Sequence, residues 1–148
     1  MEFIKRNVNP KGWKTGDCVV RAITTATDME WIEVFDALTE IGRKKCRLVD
    51  DKIVFEKFLQ DQGFIRCKMP RHADNSRYTV EELVNEEGEG NILVMLVAHH
   101  LTCSVGTTLV DTWDCRYKSV GNYYKKASTR KITKVQPAER YTERVRIM

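Results

Sequence analysis

The chain has 148 residues, of which 42% are hydrophobic and 31% are charged, and its formal net charge at pH 7 is +4. This length and composition predict a globular protein with a hydrophobic core, and no apolar run is long enough for a membrane span. The amino-terminal residues lack the apolar core of a signal peptide, so we expect a single cytoplasmic domain over residues 1–148 with no membrane partner.

Four helices are predicted in the first part of the chain. The first runs from about Cys18 to Thr27, with Asp17 as its N-cap residue. A second follows a capping-box pattern formed by Thr27 and Glu30. A third runs from about Lys52 to Gln62, and a short fourth lies in the segment YTVEELV.

The pattern changes from helix to strand in the second part of the chain. The segment NILVMLVA is a continuous apolar run of strand length, which is typical of a strand buried on both faces. The segment HHLTCSV then alternates, and GTTLVDTW resumes strand character after a glycine. Helices followed by an antiparallel sheet predict an α+β fold.

The five cysteines are scattered and form no CxxC pair and no CxH knuckle, so the spacing indicates neither a zinc ribbon nor a disulfide framework. We therefore expect reduced thiols, no metal site and no cofactor. Four of the cysteines are expected to be chemically inert: Cys46, Cys67, Cys103 and Cys115.

Cys18 stands at the predicted start of a helix, where unpaired backbone N–H groups and the helix dipole favour a thiolate. A hairpin later in the chain offers an imidazole and a carboxylate. If its turn centres on Val105 and Gly106, His100 lies directly opposite Asp111 on one face of the sheet. Asp111 would then hold the imidazole by Nδ1–H and leave Nε2 to take a proton from the thiol. These are the parts of a cysteine nucleophile system.

Three nearby residues have alternative assignments. His99 is expected to point to the other face of its strand, into the core or a covering layer. Asp114 competes with Asp111 as the orienting acid, or caps the turn after the strand. Trp113 is expected either in the core or as a lid that shields the imidazole and the carboxylate from water.

The motif GDCVVRAI, followed by helices and then HHLTCSVGTTLVDTW, resembles the papain-like cysteine peptidase superfamily. That family has a Cys at a helix start, a His on a strand, and an Asn or Asp on the next strand. The first motif is also similar to the Cys motif of OTU-type deubiquitinases. Small proteins of bacteria and their phages carry a similar set over roughly Asn9 to Tyr124.

The resemblance implies a papain-like fold, in which the nucleophile helix and its neighbours pack on a C-terminal antiparallel sheet. It also implies a catalytic triad of Cys18, His100 and Asp111, in the bacterial cytoplasm or in the host cytoplasm if the chain is phage-encoded. Papain-type enzymes place an oxyanion-stabilising Gln six residues before the Cys, where this chain has Gly12. Asn9 is the first candidate to replace it, and Asn7 is the second.

The leading functional hypothesis is a thiol hydrolase, a peptidase or isopeptidase, that acts on a protein or peptide substrate. A glutamine deamidase or transamidase would use the same triad, because both reactions pass through a thioester. A second hypothesis is an inactive papain-like scaffold that binds a protein partner, and the missing Gln supports it. The oligomeric state is not predicted.

The carboxy-terminal residues from about 125 to 148 are predicted to form a basic, solvated extension of the domain. In the wider segment from Tyr117 to Met148, Tyr residues are interleaved with Lys and Arg, which is a weak pattern for nucleic-acid binding. No recognised nucleic-acid motif accompanies it, so a nucleic-acid partner ranks last among the hypotheses.

Overall fold

The structure, a computed structural model, describes residues 1–132, and the predicted extension from residue 133 onward lies outside the described residues. The described chain has an α+β fold with four helices and a six-stranded mixed sheet, and none of these helices has the length and apolarity needed to cross a membrane. In chain order the elements are β1 (Glu2–Lys5), α1 (Cys18–Thr27), α2 (Trp31–Lys45), α3 (Lys52–Asp61), β2 (Ile65–Cys67), α4 (Val80–Glu87), β3 (Asn91–Val97), β4 (His100–Val105), β5 (Thr108–Asp111) and β6 (Tyr123–Ala127).

The first helix has the predicted bounds, but Asp17 does not cap it as expected. Asp17 stands at the N-cap position and makes no side-chain capping hydrogen bond. Its carboxylate instead accepts hydrogen bonds from three side chains: Arg21 Nε at 2.8 Å, Trp31 Nε1 at 3.0 Å and Asn9 Nδ2 at 3.1 Å. These contacts tie the start of α1 to the preceding loop and to α2.

The second helix begins with a different capping box from the predicted one. Glu30 is the N-cap residue and pairs with Glu33, whereas Thr27 is the last residue of α1 and donates its hydroxyl to the Ile23 carbonyl. Thr27 therefore ends one helix, and Glu30 starts the next. Helix α4 begins with a capping box formed by Thr79 and Glu82.

The sheet has the strand order β1-β5-β4-β3-β6-β2. The prediction of a purely antiparallel sheet is wrong at one edge, because β1 pairs in parallel with β5. Strands β1, β2 and β6 were not predicted. The predicted boundary of the basic extension, near residue 125, falls inside β6, where Tyr123 and Tyr124 are buried against β3.

Helices cover both faces of the sheet. One face packs against α1, α2 and α3 through Leu101, Cys103 and Val105 of β4. The other face carries α4, which packs on it through Val80, Leu83 and Val84. The start of α1 meets the sheet at the end where β4 begins and β5 ends, which sets the position of the candidate site.

The hairpin of β4 and β5 turns one residue later than predicted. Val105 pairs with Thr108, so the turn consists of Gly106 and Thr107, and Gly106 supplies the positive φ of 60°. Extending this register places Asp111 opposite Thr102 rather than opposite His100. Because the slip between the strands is two residues, the side chain of Asp111 keeps its predicted face.

His99 does not point into the core as predicted. Strand β3 ends at Val97, which pairs with His100, so Ala98 and His99 form a tight two-residue turn. His99 is exposed there. Ala98 takes a left-handed conformation with φ of 52°, which accommodates the reversal directly before His100.

Candidate active site

The structure brings Cys18, His100 and Asp111 together. Cys18 is the first residue of α1, and its half-buried thiol interacts with the His100 side chain and the Leu101 backbone. The Nε2 atom of His100 lies 2.6 Å from Oδ2 of Asp111. The imidazole therefore stands between a thiol and a carboxylate.

The imidazole is oriented in the opposite sense to the predicted one. Asp111 bonds to Nε2, so Nδ1 is the ring nitrogen left for the thiol. The register of the hairpin explains this difference. Asp111 lies diagonally across from His100, and a diagonal neighbour is reached by the far end of a long side chain.

Asp111 is held by more donors than His100 alone. Its side chain is 3% exposed, and Oδ2 also accepts the Thr102 hydroxyl at 2.6 Å. Oδ1 accepts the Thr112 backbone N–H at 2.6 Å and Arg21 Nη1 at 3.2 Å. The carboxylate is thereby fixed in the orientation that faces the imidazole.

Sequence reasoning missed Arg21 and Thr102. Arg21 stands one turn after Asp17 and reaches both Asp17 and Asp111, so it links the start of α1 to the end of β5. The spacing of Asp17 and Arg21 suits an ion pair on one helix face, but the second bond of Arg21 depends on the tertiary fold. Thr102 follows from the hairpin register once Asp111 is placed opposite it.

The electrostatics of the site favour a thiolate at Cys18. Partial burial acts to raise the pKa of the Cys18 thiol, but hydrogen bonds from His100 and from the Leu101 backbone outweigh it. The positive charges of His100 and Arg21 act in the same direction, and the net result is a lowered pKa. This is the shift that makes a cysteine nucleophilic near neutral pH.

The charged form of His100 is favoured as well. Burial acts to lower the pKa of the imidazole, yet its bonds to Asp111 and Cys18 raise that pKa to about 9. For Asp111, burial acts to raise the pKa of the carboxyl, and the bonds from His100 and Thr102 lower it overall. The lowered pKa of Cys18, the raised pKa of His100 and the lowered pKa of Asp111 together favour a thiolate–imidazolium pair beside an ionised carboxylate.

Trp113 lies over the imidazole of His100. The two ring centroids are 5.0 Å apart and the rings are tilted by 51°. The indole is 37% exposed, so it is not a core residue. Trp113 therefore lies outside the core and beside the imidazole, and its role as a lid that shields the imidazole from water stays a prediction.

Asn9 and Asn7 both use their amide donors inside the loop that precedes α1. Asn9 donates to Asp17 Oδ2, and its Oδ1 accepts from the Lys11 backbone. Asn7 donates to the Trp13 carbonyl at 3.2 Å. In the structure Asn9 therefore holds the residue before the nucleophile, and its role as an oxyanion donor stays a prediction.

Asp114 is not the orienting acid. It forms an ion pair with Arg116 at 2.7 Å and accepts the Arg116 backbone N–H at 3.1 Å. It thus closes the turn that follows β5, which is the alternative role predicted for it. This leaves Asp111 as the carboxylate beside the imidazole.

His100, Asp111 and Cys115 form the cluster of potential metal ligands in the described part of the chain, with ligand atoms within 4.8 Å of one another. Burial raises the pKa of the Cys115 thiol to about 11, so this thiol is protonated at neutral pH. Metal ligation by cysteine needs the thiolate, so a metal ion at this cluster would have to displace the Cys115 proton. A metal ion would also have to displace the bonds that Asp111 already accepts from His100 and Thr102.

The remaining thiols differ in exposure. Cys103 is fully buried, and burial raises its pKa to about 12. Cys46 is exposed at the end of α2, and Cys67 is half-buried at the end of β2. Cys18 is thus the cysteine whose thiol is both accessible and bonded to an imidazole.

No family model, curated protein or solved structure was found to match this chain. The functional argument therefore rests on the α+β fold and on the geometry around His100, Asp111 and Cys18.

Proposed function

We propose that the protein is a papain-like thiol hydrolase that cleaves a peptide or isopeptide bond in a protein or peptide substrate. One observation carries this proposal. The thiol at the first residue of α1 interacts with the His100 side chain, and His100 is hydrogen-bonded to the buried carboxylate of Asp111. A nucleophile, a base and a group that orients the base are the minimum set for covalent acyl transfer.

In the first half of the reaction, the Cys18 thiolate attacks the scissile carbonyl carbon and forms a C–S bond. The carbonyl oxygen takes the negative charge of the tetrahedral intermediate. When the intermediate collapses, the C–N bond breaks and the His100 imidazolium gives its proton to the leaving amine. Asp111 holds the ring through Nε2 during this transfer and stabilises its charged form.

In the second half, a water molecule attacks the thioester carbonyl and neutral His100 takes a proton from it. The C–S bond then breaks, the acid product leaves, and the thiolate–imidazolium pair is restored. Trp113 covers one side of the imidazole and limits the access of bulk water to it. This limits loss of the proton to solvent between the two halves.

One oxyanion donor is available from the helix start itself. The backbone N–H of Cys18 belongs to the first turn of α1, where N–H groups have no acceptor within the helix. It lies beside the thiol and carries the positive end of the helix dipole. The second donor would come from the substrate-bound form of the loop that contains Asn9.

An inactive scaffold that binds a protein partner is the second candidate. The observation that favours it is the engagement of both loop amides, because Asn9 donates to Asp17 and Asn7 donates to the Trp13 carbonyl. In that case the thiol would still be reactive towards small electrophiles, but no amide bond would be broken.

A mixture of natural peptides incubated with the protein tests the proposal and separates the alternatives by mass spectrometry. A hydrolase produces new carboxy termini, and a deamidase converts Gln to Glu without cleavage. Both activities should vanish in Cys18→Ala and persist in Cys46→Ser, which removes an exposed thiol outside the site. The absence of either product from the wild-type protein, with Cys18 still labelled by iodoacetamide, would favour the inactive scaffold.

A further inference from the structure

A cleft of about 910 Å³ opens beside the start of α1. Its size is in the range of pockets that bind ligands or short peptide segments. It adjoins the triad because Asp17 directly precedes Cys18, and because Thr112 and Arg21 both bond to Asp111. The lining residues that matter here are Lys5, Arg6, Trp13, Lys14, Arg21 and Thr112.

The cleft is positively charged. Lys5 and Lys14 are exposed, and neither takes part in an ion pair within residues 1–132. Asp17 also lines the cleft, but its carboxylate is buried and already accepts Arg21. The two lysines are therefore not offset by a carboxylate in the described part of the cleft wall.

The sheet fixes the position of the lysine side of the cleft relative to the triad. Strand β1 runs parallel to β5, and their register pairs Lys5 with Asp111. The backbone N–H of Arg6 then donates to the Asp111 carbonyl at 2.8 Å. Lys5, on the cleft wall, is thus one strand away from Asp111, the acid of the triad. Trp13, which lies in the loop before α1 and is 66% exposed, adds an apolar surface to the cleft.

We propose that this cleft binds an acidic segment of the polypeptide substrate next to the scissile bond. The inference rests on the proposed hydrolase function and adds the chemistry of the substrate to it. Carboxylate side chains are the complement of Lys5 and Lys14, which form no ion pair within residues 1–132, and the aliphatic part of the same segment packs against the indole of Trp13. A peptide is favoured over a nucleic acid because the cleft is lined by Asp17, the residue before a cysteine suited to acyl transfer.

Two peptide vinyl sulfones that are identical except for two Glu or two Lys residues beside the electrophile provide the test. The measured quantity is the second-order rate of Cys18 labelling at low salt. The Glu probe should label about tenfold faster, because its carboxylates are attracted to the two lysines while the ammonium groups of the Lys probe are repelled by them. The preference should shrink as salt is raised, because exposed charges are screened.

The double variant Lys5→Gln/Lys14→Gln should lose most of this preference. Lys68→Gln is the matched control, since Lys68 is an exposed lysine that follows β2 at the opposite edge of the sheet. It should retain the preference. The rate of alkylation by neutral iodoacetamide should be the same in all three proteins, which shows that the triad is intact.

The outcomes separate this inference from the proposed function. Equal labelling by both probes, with Cys18 still reactive towards iodoacetamide, overturns the acidic-substrate inference and leaves the hydrolase proposal standing. A preference that survives in Lys5→Gln/Lys14→Gln also overturns it. The inference is also overturned if a single-stranded oligonucleotide protects Cys18 from labelling and the Glu probe is not preferred. That result would indicate a cleft that binds nucleic acid. A Cys18 that reacts with none of the reagents contradicts both proposals.

Discussion

The guanidinium of Arg21 lies 3.2 Å from Oδ1 of Asp111, and its Nε lies 2.8 Å from Oδ1 of Asp17. One cation therefore connects the residue before the thiol with the carboxylate behind the imidazole. All three side chains are largely buried. This link fixes the start of α1 relative to the end of β5, and so fixes the thiol relative to the triad acid.

Arg21→Met should destabilise the protein and raise the pKa of the Cys18 thiol. The variant leaves two buried carboxylates without their shared cation, and removal of one partner from a buried ion pair costs about 3 to 5 kcal/mol. Urea unfolding measures the free energy of unfolding, and iodoacetamide rates against pH measure the thiol pKa. Arg47→Met is the control, because Arg47 pairs with Asp51 on the surface at the same spacing. Equal stability of the two variants would show that the buried link is not structural.

His100→Ala should abolish the enhanced reactivity of Cys18, whereas His99→Ala should leave it unchanged. His100 supplies the hydrogen bond and the charge that lower the thiol pKa. His99 is an exposed turn residue one position earlier. Below the pKa, each unit that the pKa rises reduces the thiolate fraction about tenfold. Alkylation rates and melting temperatures of both variants decide this prediction, and a loss of reactivity in His99→Ala would refute the observed hairpin register.

Asp111→Asn should lose both stability and thiol reactivity. The carboxylate accepts His100 and Thr102 on one oxygen and Arg21 and Thr112 on the other. An amide has one oxygen, so its NH₂ group must face two donors in either orientation. We expect a loss of about 1 to 3 kcal/mol, typical of buried groups left unsatisfied.

Asp114→Asn is the matched control for this substitution, because Asp114 follows the same strand and pairs only with Arg116 in the described contacts. Thermal unfolding and the pH profile of alkylation should be near wild type in the control. A wild-type profile in Asp111→Asn would mean that orientation of the imidazole does not need the carboxylate.

The pH dependence of hydrolysis should be bell-shaped. Activity should rise as the Cys18 thiol, whose pKa is lowered, ionises. It should fall as pH rises through about 9, the pKa of His100, because the neutral ring has no proton for the leaving amine. Alkylation by iodoacetamide needs no proton donor and should not fall in that range. Hydrolysis that keeps rising well above this pH would contradict the role of His100 as the acid.

Local patterns predicted the elements that carry the site. The bounds of α1 followed from a polar start and a regular apolar face, and the hairpin of β4 and β5 followed from alternation around Gly106. The turn was placed one residue too early because the glycine occupies the first turn position instead of the second. The predicted contact between His100 and Asp111 is nevertheless present, because a register shift of two residues keeps both side chains on the same face of the sheet.

The elements that sequence reasoning missed depend on distant partners. Strand β1 is only four residues long and forms a strand because β5 lies beside it. The segment YYKKA reads as part of a basic tail, yet its two tyrosines are buried in β6 between β3 and β2. Arg21 was missed for the same reason, since its bond to Asp111 joins residues far apart in the chain.

The most direct test of the thiolate–imidazolium pair is the rate of iodoacetamide alkylation of each cysteine against pH, read by mass spectrometry of digested protein. At about pH 6 a free thiol with a pKa of about 8.5 is almost fully protonated. Cys18 should nevertheless react there, ahead of exposed Cys46 and with buried Cys103 and Cys115 unlabelled. If Cys18 and Cys46 react at equal rates and both rise only near the free-thiol pKa, the pair does not exist and the proposed function is wrong.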